Sequence, residues 1–168
     1  MMYEIRALTV ADTEAFRQVR LDALHLHPVA FGAAYEDEAA LDHAQFAERL
    51  STPGFIRFGA FDEQGGLVGL VGLQLRPGVK QRHKAFLFSM YVDAAHRSTG
   101  LAQQLVQAVI AGAREAGAIL LHLSVSSGNA PAQRLYRRMG FTVYGVERRS
   151  LKIGERFHDE DLMVLDLD

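Results

Sequence analysis

AFLFSMYVDAAHRSTGLA, residues 85–102, joins two signals end to end. Its first half is a nearly continuous apolar run that follows the cationic segment KQRHK, and such a run suits a strand covered on both faces. Its second half, RSTGLA from Arg97 to Ala102, leads into Leu101, Leu105, Ala108, Val109 and Gly112. These recur at helical spacing up to a stop at Gly117. The segment therefore reads as strand, small-residue turn and long amphipathic helix. A helix N-terminus presents unpaired N–H groups and the positive end of its dipole, so a turn of small residues there can wrap a phosphate. Gly100 permits close backbone approach. Taken alone, the hexapeptide is also what an ordinary helix start looks like.

Working outward, residues 119–125 (ILLHLSV) read as the next strand, and residues 130–139 as a helix stopped by Gly140. Two last strands are expected around Val143 and over residues 159–167. Upstream, Tyr3, Ile5 and Ala7 alternate with charged neighbours as in a half-buried strand. Thr9 and Asp12 can cap a helix carrying Phe16, Val19, Ala23 and Leu26, which Pro28 ends. Residues 28–38 are expected as a loop and residues 41–50 as a short helix. Residues 56–62 and 67–75 read as strands joined by a turn at 63–66. Gly65, Gly66, Gly69 and Gly72 lack a strand-to-helix setting, so they are read as turn and bulges, not as a dinucleotide fingerprint. This order describes one α/β (α+β) domain over residues 1–168, a mixed sheet with a parallel crossover in its middle.

Composition narrows the function. A chain of 168 residues with 49% hydrophobic and 23% charged residues folds as an ordinary globular protein. The net charge of -2, from 18 basic and 20 acidic residues, provides no general attraction for nucleic acid or a membrane surface. Any phosphate site must be local. With no cysteine there are no disulfides, thiolate metal sites or cysteine nucleophiles. The seven histidines are dispersed, and His122, on a strand, is expected to be packed or hydrogen-bonded, so no metal is implied. The N-terminus has acidic residues where a signal peptide needs an apolar core, and no uncharged run is long enough to span a bilayer; the cytoplasm is the expected location.

The strand with RSTGLA, followed at crossover spacing by a second strand and NAPAQRLYRRMGF (residues 129–141), resembles the GNAT superfamily of acetyl-CoA-dependent N-acetyltransferases. The order of elements in the first half is similar too. The resemblance implies that the fourth and fifth strands splay apart and admit acetyl-CoA. Main-chain groups of Met90, Tyr91 and Val92 would pair with the pantetheine arm, and Arg97, Ser98, Thr99, Gly100, Leu101 and Ala102 would hold the pyrophosphate. Asn129 and Tyr136 would approach the thiol end, with Tyr136 as general acid. Members often carry glycine where Ser98 and Ala102 stand, which implies a less open loop here. The expected activity is transfer of an acetyl group to a primary amine of a small molecule or peptide, by direct attack in a ternary complex. The rival reading is an acyl-CoA-binding sensor without turnover. Tyr35, Glu36 and Glu38, with His158 and Glu160 near the C-terminus, are the candidate acceptor residues, because acidic groups there favour a cationic amine. Homodimers are common in the family.

Overall fold

The computed structural model describes residues 2–168. Among these residues, seven strands appear: β1 (Glu4–Ala7), β2 (Phe55–Phe61), β3 (Leu67–Leu75), β4 (Lys84–Val92), β5 (Leu120–Ser126), β6 (Thr142–Ile153) and β7 (Arg156–Asp166). The α-helices are α1 (Thr13–Leu26), α2 (Tyr35–Ala39), α3 (His43–Arg49), α4 (Leu101–Glu115) and α5 (Ala130–Arg138). The strands form one sheet in the order β1-β2-β3-β4-β5-β7-β6. Only β4 and β5 pair in parallel; every other neighbouring pair is antiparallel. This is the expected mixed sheet with its parallel crossover through α4.

Apolar periodicity explains the layering. Along α4, Leu101, Leu105, Val106, Val109 and Ala113 share one face and pack on Leu73, Ala85, Leu87, Leu121 and Leu123 of the sheet. Fully burying side chains of this size stabilises by about 1.5–3 kcal/mol each. Phe16 and Leu21 of α1 and Phe46 of α3 form a second core with Phe61 and Leu70. Leu70 and Val71 are consecutive in β3 yet belong to the two different cores, as the alternation of a strand requires. The sheet is thereby covered on both faces at its middle.

Gly65 makes the turn after β2 with φ +81°, and a register shift marks a bulge between Leu70 and Gly72. At Gly72 a Cβ would stand 2.4 Å from the ring of Phe88, so a side chain there would force that ring to move. The expected Thr9–Asp12 pair caps the one-turn 3-10 helix (Val10–Asp12) that leads into α1, with the Thr9 N–H donating to Asp12 Oδ2 at 2.8 Å, while α1 itself begins after Asp12 without a side-chain cap bond.

Two expectations need correction. Residues 28–38 are not a plain loop, since a one-turn 3-10 helix (Pro28–Ala30) and most of α2 lie there. What orders α2 is not local propensity but the ion pairing of Glu38 with Arg20 and Arg49. The last two strands are also longer than expected. They form one hairpin whose first strand shifts register twice, between Val143 and Gly145 and between Glu147 and Leu151. Those shifts and its largely exposed, polar residues hide the period-2 signal of β6.

Candidate active site

Parallel pairing of β4 with β5 is confined to Lys84↔Leu120, Ala85↔Leu121 and Phe86↔His122; beyond these the strands part. The departure coincides with an irregularity in β4. Tyr91 pairs with Leu70 and Phe88 with Gly72, so Ser89 and Met90 together oppose Val71 as a bulge. Ser89 there adopts φ 57°, a conformation that costs a residue with a Cβ about 1–2 kcal/mol. Its hydroxyl is held by Arg20 Nη1 at 3.1 Å.

A cleft of about 520 Å³ occupies the gap. Met90, Tyr91 and Val92 form one wall, Arg97, Ser98, Gly100 and Ala102 the end, and Asn129 the side nearest α5. The loop at its end is shaped for an anion. Ser98 (φ 61°) and Gly100 (φ 85°) both have left-handed backbone, which folds successive amides into a concave turn. The first helical bond of α4 runs from Gln104 N–H to Gly100 O, so the amides just before it have no helical partner. Ser98 thus adopts the backbone that a glycine there would permit. The residues present fit a pyrophosphate.

Two of the expected loop residues face elsewhere. Leu101 is buried in the main core, and Thr99 Oγ1 donates to His96 O at 2.6 Å while accepting from Tyr3 at 3.3 Å. Arg97 reaches across the cleft mouth, from Nε to Val92 O at 3.1 Å and from Nη2 to His27 Nε2 at 2.9 Å. Burial, and then the charge of Arg97, lowers the pKa of His27, keeping its imidazole neutral and able to accept. Asn129 caps α5 through Ala132 N–H at 3.3 Å. Tyr136 is 4% exposed and packs edge-on against Phe141; its neighbour Leu135, not Tyr136, lines the cleft. Burial pushes the Tyr136 hydroxyl well above the ordinary tyrosine range, and it makes no hydrogen bond among the described residues.

A smaller cavity of about 290 Å³ adjoins the cleft. The two share Ala30 and Phe31, and along β4 the boundary is the step from Met90 to Ser89. Glu160 of β7 lines this smaller cavity. The other candidate acceptor residues are dispersed. Tyr35 and Glu36 line a separate pocket with the tip of the β6–β7 hairpin, and His158 lines one beside Ser127 and Gly128. Glu38 lines none of these cavities: both its oxygens are taken by Arg20 (2.9 and 3.0 Å), and Arg49 adds a bond at 2.8 Å. Sequence reasoning missed Arg20, Ser89 and His27. Arg20 did carry a signal, since it stands four residues after Phe16 and four before Leu24 on the buried face of α1, where an unpaired charge would be costly. His122 stacks on Phe86 with centroids 5.2 Å apart, a packed residue as expected.

Comparison with known proteins meets this geometry. The family model for the acetyltransferase (GNAT) family matches residues 19–141. The chain belongs to the GNAT acetyltransferase family. An uncharacterized N-acetyltransferase of Bacillus subtilis, YdgE, is 29% identical over 154 residues, covering 89% of this chain and 98% of that protein. An uncharacterized N-acetyltransferase of Mycobacterium bovis is 31% identical over 130 residues, covering 77% and 79%. Among solved structures, yncA of Salmonella typhimurium, described as a putative acetyltransferase and determined with its cofactor acetyl-CoA, superimposes with a TM-score of 0.85 at 25% identity over 100% of this chain and 95% of that one. This GNAT chain is an N-acetyltransferase that uses acetyl-CoA as cosubstrate, and the sensor reading is not favoured. Acetyltransferases of this family act on amines of small molecules or peptides. Among its described residues no helix is long and apolar enough to cross a membrane.

Proposed function

We propose that the acetyl donor lies in the cleft between β4 and β5 and that the amine enters the adjoining cavity beside Glu160. The observation that carries this reading is the meeting of the two cavities at Ala30, Phe31 and the Ser89–Met90 step. A nucleophile in one is then within reach of a thioester in the other. The loop of Arg97, Ser98, Thr99, Gly100, Leu101 and Ala102 holds the pyrophosphate through backbone amides, Met90, Tyr91 and Val92 flank the pantetheine arm, and Asn129 stands near the thiol. Acetyl-CoA supplies an activated thioester. The neutral amine attacks its carbonyl carbon, the carbon–sulfur bond breaks, and the amine's proton passes to Glu160.

Orientation of the two reactants is the largest contribution, worth about 7–11 kcal/mol when the geometry is right. Tyr136, next to the cleft-lining Leu135, is the donor we assign to the departing sulfur, a role that requires its hydroxyl to reach the cleft past Leu135. A thiol of pKa about 8.5 leaves more readily than any tyrosinate, and burial raises this tyrosine further, so its hydroxyl stabilises the thiolate chiefly as a hydrogen-bond donor. His158, Tyr35 and Glu36, on the neighbouring pockets, would meet only an acceptor that extends beyond the small cavity. The cytoplasm is the compartment we assign to this work.

Glu160→Gln tests the assignment. General base catalysis contributes about 10²- to 10⁴-fold, so steady-state release of CoA in the presence of an accepted amine should fall at least a hundredfold. The rise in melting temperature caused by acetyl-CoA should remain. Unaltered turnover would move the base to another residue.

A further inference from the structure

The charges packed behind the small cavity, buried and half-buried together, do not balance. Arg20 and Arg49 share the single carboxylate of Glu38. Arg57 lies close by, its guanidinium between the rings of Phe16 and Phe88 at 5.3 and 5.1 Å, with no carboxylate bonded to it among the described residues. Burial, and then repulsion from Arg49 and Arg20, depresses Arg57 to about 10, so it is still charged at neutral pH. Another guanidinium, Arg76, stacks 4.3 Å over Phe86, and its Nε is buried without a hydrogen-bond partner. Phe86 and Phe88 line the cavity, so these cations stand directly behind its wall. Arg49, Arg57 and Arg76 are half-buried, and half-buried positive charge in excess favours an anion beside it.

The wall itself offers places for that anion. Arg20 lines the cavity and spends three of its five N–H donors on Glu38 and Ser89, leaving two. Gln74 of β3 and Ser124 of β5 also line it, and neither side chain makes a hydrogen bond among the described residues. On the β7 side stands Glu160, whose carboxylate and that of Glu147, its partner across the β6–β7 pair, both converge on the Ser150 hydroxyl. One hydroxyl has one proton to give, so only one carboxylate can accept it. The cavity therefore has unfilled donors from α1, β3 and β5, and on β7 an unfilled acceptor, the Glu160 oxygen that does not face Ser150. Its volume of about 290 Å³ lies at the small end of ligand sites.

We propose that the acceptor is a small amino acid, a molecule whose primary amine faces Glu160 and whose acid group is received by Arg20, Gln74 and Ser124. This rests on the acetyl-transfer reading of the cavity given above. A polyamine is disfavoured by this surplus of cations, and a peptide N-terminus by the loss of the carboxylate that would answer them.

The experiment compares free CoA release with the twenty common L-amino acids, the α-amide of each, and the matching decarboxylated amines. At least one free amino acid should exceed its own amide and amine by tenfold or more in kcat/KM. If amides or plain amines are used as well as the acids or better, the proposal fails while the acetyl-transfer reading stands. If no amine of any kind is used although acetyl-CoA still raises the melting temperature, the acceptor reading itself fails. Gln74→Glu gives a second measure, since it sets an anion where the acid group is expected. Its ratio of amino-acid to amine kcat/KM should fall at least tenfold, mainly through KM, with the acetyl-CoA melting shift as the check on folding. An unchanged ratio would overturn the placement.

Discussion

At Tyr136 the structure separates two roles that one residue could play. The ring is a core element, edge-on to Phe141, and the hydroxyl has no internal partner among the described residues. Tyr136→Phe keeps the first and removes the second, so thermal stability should hardly change. Turnover number should fall by about a hundredfold, the lower end of what general acids supply, because burial makes this hydroxyl a reluctant proton donor. Normal turnover at saturation with weakened acetyl-CoA binding would instead make the hydroxyl a ground-state contact. Gly100 poses a different question. Its φ of +85° costs any other residue about 1–2 kcal/mol, yet no atom lies within 4 Å of where a Cβ would be. Gly100→Glu should therefore fold, slightly destabilised, with a carboxylate at the N-terminus of α4 where phosphates are expected. Wild-type protein should gain about 2.7 kcal/mol from acetyl-CoA at a hundredfold excess over its Kd. The variant should show no such shift in a melting experiment.

Between elements, the active-site walls are tied together by charge. Arg20 on α1 joins α2 through Glu38 and the β4 bulge through Ser89, while Arg49 secures α3 to the same carboxylate. Removing one member of a buried pair strands the other, at a cost of about 3–5 kcal/mol. Glu38→Ala should lower the midpoint of urea unfolding by an amount equivalent to that loss. A change under 1 kcal/mol would show that α2 is held by its apolar contacts instead. The same tether explains why residues 28–38 looked like loop: α2 has five residues, too few to be helical alone.

For the molecule as a whole, acid should be the weak side of the stability curve. Asp12 is held at about 2, first by its hydrogen bond with Arg6, against a usual value of 3.8. Burial alone would raise Glu38, but Arg20 and Arg49 outweigh it and the net displacement is downward. A carboxyl with a depressed folded-state pKa contributes stability that is fully present above its unfolded value and is lost as pH falls through its folded one. Unfolding free energy should thus hold near neutrality and decline from about pH 4 toward pH 2. Stability that rose over this interval would contradict both ion pairs as described.

Residue order alone determined the layered mixed sheet and the strand–loop–helix at residues 85–102, with the turn residues that make its loop. These depend on periodicity, turn residues and helix-terminus electrostatics, all of which act within a few positions. Only the tertiary structure decided which acidic residues reach the cavities. Glu36, Glu38 and Glu160 are alike as letters, but one borders a side pocket, one is consumed by two arginines and one faces the small cavity. It also decided that Leu101 and Thr99 turn away from the cleft their neighbours line. The reason is the same each time. A side chain's partners, hence its charge state and direction, are set by residues distant in the chain, such as Ser89, which lies 69 positions from Arg20.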